Sequence, residues 1–167
     1  LVGSEMCIRD RAYIDIATIR DGMGAGHAEA ALAAWRKGLA HIDKAHGVRS
    51  EESMTMHLHM TGLLIRMDRY EEARKVLTPI QERIEARSTP TRQEQEILLQ
   101  ATYMLGVADL EDDEHDDAEE HLLDAYELIK EMKTAPIQVE IAVLDSLARL
   151  YEEKKDTQRY ARYDALF

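Results

Sequence analysis

Small residues recur along this chain at a spacing that paired helices satisfy and few other architectures do. Ala31, Ala73, Ala118 and then Tyr160 follow four short polar breaks, at intervals of 42, 45 and 42 residues. The breaks and the segments after them read GAGHAEAALAAWRKG, RMDRYEEARKVL, DDEHDDAEEHLLDA and EKKDTQRYARYDAL. About one turn after each small residue comes an apolar or aromatic one, Trp35, Leu77, Leu122 and Ala165, and Gly38, Ile80 and Ala125 follow the first three a further turn on. A small residue early in a helix lets an antiparallel neighbour approach closely, and the larger residue one turn later fills the groove between them. One such pair cannot bury both its apolar faces, so pairs of this kind stack.

Periodicity and capping residues place the helices. Residues 12–20 predict a truncated first helix ended by Gly22, Gly24 and Gly26, and 27–45 a second, with Ala28, Ala31, Leu32, Trp35, Leu39 and Ile42 on one face. Ser50 is placed to cap a helix running to about Met67, followed by another over 70–87. Thr91-Arg-Gln-Glu94 is a capping-box sequence opening a helix to about Leu110. The next, over about 115–132, carries Asp116, Asp117, Glu119 and Glu120 near its positive end. Pro136 suits the first turn of a helix reaching Glu153, and a last helix runs from Thr157 towards Phe167. The 45-residue interval implies a longer loop near Ser88-Thr-Pro90, and Tyr160 in a slot that elsewhere holds Ala implies looser packing of the last pair.

Composition agrees with an all-α fold. Aromatics are 5%, with 8 Gly and 3 Pro in 167 residues, too few for a turn-rich β sandwich or barrel, while 45% hydrophobic residues suffice for a core. No apolar run approaches the ~18 residues of a membrane span. The net charge of −12 opposes nucleic-acid binding, because phosphates would be repelled.

The first residues, LVGSEMCIRDR, match the translation of a transposon-end sequencing adapter, whose last partial codon allows only Arg or Ser at position 11. Residues 1–11 are therefore expected to be an artefact, with 12–167 a domain of about three and a half helix pairs from the C-terminal part of a longer protein. Cys7, the only cysteine, falls in this segment, which leaves no disulfide, Cys-based zinc site or Cys nucleophile in the rest. With the native N-terminus missing the compartment stays open, the cytoplasm being favoured.

In this pattern the chain resembles the tetratricopeptide repeat family, in its long, kinesin-light-chain-like form of about 42 residues. Leu105-Gly106 and Leu147-Ala148-x-x-Tyr151 carry the resemblance in first helices, and Tyr70-x-x-Ala73, Ala118 and Trp35 in second helices. The closing LDSLARLYEEKKDTQRYARYDALF is similar to the last repeat in the tails of bacterial serine/threonine protein kinases. The resemblance implies a right-handed α-solenoid whose first helices line an inner face. Members that clamp a peptide carboxylate use Lys and Asn there; the matching positions here are Leu58, Gly62 and Arg66, then Tyr103, Val107 and Glu111, then Asp145 and Arg149, so that clamp is absent.

Catalytic and metal readings find little support. His57 and His59, two apart on a helix, point about 200° apart and cannot easily share a metal, and His41 and His46 are little better placed. The acidic run Glu111–Asp117 lacks the turn glycine of a calcium loop. Met56, Met60, Leu63, Leu64 and Met67 read as core, whereas Met54, Leu58 and Ile65 could line a groove. Glu82, Glu94 and Glu96 show no nucleophile–base set, GMGAG at 22–26 follows no strand, and Trp35 beside Arg36 and Lys37 falls in a groove-filling slot. No cofactor or metal is expected.

The resulting expectation is a non-catalytic interaction scaffold that holds a partner peptide or helix in an inner groove. Its contacts would be Leu58, Ile65, Arg66, Tyr103, Val107, Leu110 and Arg149, suited to an amphipathic or basic protein ligand. Rival expectations are a regulatory tail of a bacterial signalling protein such as a kinase, a small helical metal-dependent hydrolase drawing on His57, His59 and His121, and self-association through the truncated N-terminal end.

Overall fold

The computed structural model describes residues 25–47, 50–132 and 134–166. The expected helix over 12–20, the adapter-like segment and the N-terminal end face proposed for self-association lie outside these residues. The described chain is all-α: a 3-10 turn, Ala25–His27, leads into α1 (Ala28–His46), α2 (Glu51–Arg66), α3 (Tyr70–Glu85), α4 (Arg92–Glu111), α5 (His115–Glu131), α6 (Ile137–Glu153) and α7 (Thr157–Asp164). It divides into two compact units between Glu72 and Ala73.

The helix starts follow their caps. The Ser50 hydroxyl accepts from the Ser53 amide at 3.1 Å. At α4 both arms of the box form: the Thr91 hydroxyl accepts from the Glu94 amide at 3.0 Å and the Glu94 carboxylate from the Thr91 amide at 2.9 Å. Pro136 is the residue just ahead of α6.

Within the first unit α1 packs on α2. Ala31, Leu32, Trp35, Leu39 and Ile42 turn inward from α1, as do Met54, Leu58, Met60, Leu63 and Leu64 from α2, while Ala28 is only half-buried. Met54 and Leu58 thus belong to the core rather than to a groove, since the α2 face that meets its neighbours is set by their stripe. Within the second unit α4 packs along α5, α5 on α6, α6 on α7, and α4 also reaches α6. One apolar cluster joins these four helices through Leu99, Leu122, Ala125, Val143, Leu147, Tyr151 and Tyr163.

The repeat is visible in burial and in backbone. Ala31, Trp35 and Gly38, then Ala73, Leu77 and Ile80, then Ala118, Leu122 and Ala125, are all buried. The turns α2–α3, α4–α5 and α6–α7 share one geometry. Asp68, Asp113 and Lys155 sit in the left-handed region at φ of 56°, 61° and 56°. Each donates its amide to the carbonyl three residues back, and the next residue donates to the one five back: Arg69 to Leu64 at 3.0 Å, Glu114 to Asp109 and Asp156 to Tyr151 at 2.9 Å. These paired bonds are Schellman turns, built here without the usual glycine.

Two expectations are refined. The connection in the 45-residue interval, residues 86–91, is the longest of the three, but most of the added length lies in helix: α4 has 20 residues where α6 has 17. The Thr91 box starts α4 early, which fixes the added residues as helix. In the last pair Tyr160 is only half-buried and Ala165 exposed, and Tyr163 is the buried residue of α7. The Tyr163 ring stacks on Tyr151 at 5.6 Å and meets Tyr126 edge-on at 5.8 Å, so aromatic rings fill the space that an Ala-and-Leu pair fills elsewhere.

Candidate binding surface on α4 and α6

Seven residues were expected to contact a partner, and the structure separates them. Leu58 is 3% exposed and Leu110 2%, so neither offers surface to a ligand. Each lies on the stripe by which its helix packs, and Leu110 belongs to the cluster shared with α6. Ile65 is half-buried and Arg66 exposed at the end of α2, in the first unit.

The second unit brings three of the seven onto adjoining helices. Tyr103 and Val107 are half-buried one turn apart on α4, and Tyr103 packs its inner side against the unit's core. One turn further on, Glu111 accepts a hydrogen bond at 2.7 Å from the Arg149 guanidinium of α6. Arg149 also donates to Glu153 at 3.0 Å, and His115 lies 3.1 Å from the same Glu153. The bond to Glu111 is the largest influence holding the Arg149 guanidinium charged. The surface is therefore an apolar and aromatic row ending in an ion-pair chain, not an open cation.

Sequence reasoning missed a more deeply set cluster in this unit. Asp109, nearly fully buried on α4, accepts from Arg74 of α3 at 2.7 Å and pairs with His121 of α5 at 2.7 Å. Arg74 also reaches Asp112 at 2.8 Å. Burial by itself raises the Asp109 carboxyl, but the hydrogen bonds from His121 and Arg74 outweigh it and hold the group below the usual carboxylate range. The bond to Asp109 raises His121 against the opposing effect of burial. The available signal was a carboxylate inside the apolar run Leu105-Gly106-Val107-Ala108-Asp109-Leu110, a place that requires a partner.

Glu119 of α5 forms a second hub. It accepts from Lys154 at 2.6 Å and from the Tyr151 hydroxyl at 3.1 Å, and it pairs with Arg159. Burial, then the Glu119 charge, pushes the Tyr151 phenol up to about 12. Both hubs join helices to one another.

The histidines are placed by local contacts. His57 Nδ1 lies 2.8 Å from the Ser53 carbonyl, and His59 stacks on Trp35 at 6.1 Å. Among the described residues no group of three or more His, Cys, Asp or Glu is arranged to hold a metal ion. A cleft of about 240 Å³ near the end of α3 and the start of α4 has Ile84, Leu98, Leu128 and Met132 in its walls. It is smaller than the roughly 300–1,000 Å³ of most small-molecule sites. No helix among the described residues is long and apolar enough to cross a membrane. Comparison with protein-family models and with curated proteins finds no match.

Proposed function

We propose that this chain is a non-catalytic protein-interaction module, a right-handed α-solenoid of tetratricopeptide type. Support for the architecture comes from the three Schellman turns that recur with the sequence repeat. The observation carrying the function is the half-buried row Tyr103–Val107 on α4, which ends in the Glu111–Arg149 bridge to α6. An aromatic ring and a branched aliphatic side chain one turn apart suit the apolar side of a short partner segment, and the ion-pair chain beside them fixes its orientation. The net charge of −12 favours basic partners and speeds their encounter.

The test is selection from a displayed peptide library on the full 167-residue chain. Selected peptides should lose at least about tenfold in affinity, roughly 1.4 kcal/mol, on Tyr103→Ala and again on Val107→Glu. Arg149→Glu should alter which charges are selected beside the apolar residue. Equal recovery on all three variants would remove the surface from consideration.

A further inference from the structure

The pairing of α4 with α6 identifies a second surface, on the flank of α6. Register is set by the turns: Asp113 after α4 corresponds to Lys155 after α6, an interval of 42 residues. By that register Leu99, Tyr103, Gly106 and Leu110 of α4 correspond to Ile141, Asp145, Ala148 and Glu152 of α6. These positions form one stripe, spaced by three or four residues. On α4 the stripe is covered. Leu99 and Leu110 are buried in the cluster that contains Val143, Leu144 and Leu147 of α6, with Tyr103 against it.

On α6 the same stripe is open at three of its four positions, Ala148 alone being buried in the cluster. Ile141 is 48% exposed, and Ile137, one turn earlier, is 70% exposed. Asp145 and Glu152 are exposed too, and neither forms a salt bridge among the described residues. The α6 stripe thus differs from that of α4 in two of four positions by a carboxylate: Asp145 stands where α4 has Tyr103, and Glu152 where it has Leu110. Arg149 of the covering helix reaches Glu111; the counterpart of Glu111 on α6, Glu153, is already met by Arg149 and His115, which leaves Asp145 and Glu152 as the open carboxylates of the stripe.

We infer that the Ile137–Ile141–Asp145–Glu152 flank of α6 docks an amphipathic helix of a partner protein, with aliphatic residues on the two isoleucines and basic residues on the carboxylates. This surface is separate from the Tyr103–Val107 row. The covering of α4 by α6 supplies the geometry, and the acidic half of the stripe sets the partner's charge.

A labelled synthetic helix of about five turns, with a leucine stripe flanked by arginines, is the probe. Fluorescence anisotropy on the full chain should show saturable binding. Ile141→Glu and Asp145→Lys should each weaken it at least about tenfold, whereas Val107→Glu should leave it unchanged. Circular dichroism melts confirm that the variants stay folded. A peptide with glutamates in place of its arginines should bind at least about tenfold more weakly. Equal binding of the acidic peptide, no binding of the basic one, or binding insensitive to Ile141→Glu and Asp145→Lys would overturn the proposal. So would a dimer by light scattering that dissociates on Ile141→Glu, since a second copy would then be the occupant. Loss on Val107→Glu alone would place the probe on the other surface and equally refute this one.

Discussion

Leu122 closes over Gly106 so tightly that a β-carbon on Gly106 would lie 2.7 Å from Leu122 Cγ and 3.2 Å from the Leu122 amide nitrogen. This contact sets the approach of α4 to α5, because the obstructing atoms include the Leu122 branch point and backbone nitrogen besides a terminal methyl at 2.8 Å.

Gly106→Ala should therefore destabilise the chain although alanine is the better helix former. The propensity gain is up to about 1 kcal/mol, against about 1–3 kcal/mol for overpacking a filled core. A net loss of roughly 1 kcal/mol is expected in urea unfolding. Leu122→Ala alone should cost about 2–5 kcal/mol, but less in the Gly106→Ala background, where it relieves the clash. Additivity in that double-mutant cycle would show that the two residues do not touch.

Lys155 holds φ at 56° with a side chain exposed to solvent. A left-handed conformation costs an L residue roughly 1–2 kcal/mol, and glycine escapes most of it. Lys155→Gly should thus raise stability by about 0.5–1 kcal/mol after allowance for the freer unfolded chain. Lys155→Ala, which keeps the β-carbon, should not. A thermal melt of the two variants side by side decides it, and equal shifts would mean the turn is unstrained.

The His121–Asp109 pair gives stability a defined pH dependence. His121 is raised in the folded state, so its contribution is complete below its unfolded value of about 6.5 and is lost as pH rises through the folded value. Asp109 is lowered, so its contribution is present above its unfolded value of about 3.9 and is lost as pH falls through the folded one. Stability should decline on the alkaline side of about pH 6.5, and His121→Gln should flatten that decline. Asp109→Asn should cost about 3 kcal/mol across the neutral range by stripping Arg74 and His121 of their shared carboxylate. An unchanged alkaline slope in His121→Gln would assign the decline to another group.

The helices and their inward faces were legible because each signal was local. Ser50, the Thr91–Glu94 box and the Ala31, Ala73 and Ala118 triplets act within one or two turns, and the structure places every one of them as their chemistry requires. What was not legible depended on partners far along the chain. Leu58 and Leu110 have the composition of groove residues, and only the neighbouring helices decide that they are enclosed. Arg149 has the chemistry of a partner contact, and only the fold brings Glu111, 38 residues away, beside it. Asp109 could be recognised as needing a partner, but not that Arg74 and His121 would both supply it. The last repeat keeps the 42-residue register, Thr157 opening α7 as His115 opens α5, but burial falls on Tyr163, which stacks on Tyr151, and not on the Tyr160 slot.

Thr91 and Glu94 form a joint that can be dismantled in steps. The Thr91 hydroxyl satisfies the Glu94 amide, while the nearly buried Glu94 carboxylate satisfies the Thr91 amide and lies 3.0 Å from the Arg87 guanidinium. Thr91→Ala removes one capping bond and should cost about 1 kcal/mol. Glu94→Ala removes the reciprocal bond and an ion pair, and it leaves a small void beside the first turn of α4, so its cost should be larger, about 2 kcal/mol. The double variant should lose less than the sum of the two single losses, because a first turn already frayed by one change has less left to lose. Hydrogen exchange at the Glu94 and Gln95 amides gives the local reading. Faster exchange there, with the amides in the middle of α4 unchanged, is the expected pattern, and uniform acceleration along the helix would mean that the box holds the whole of α4 rather than its start.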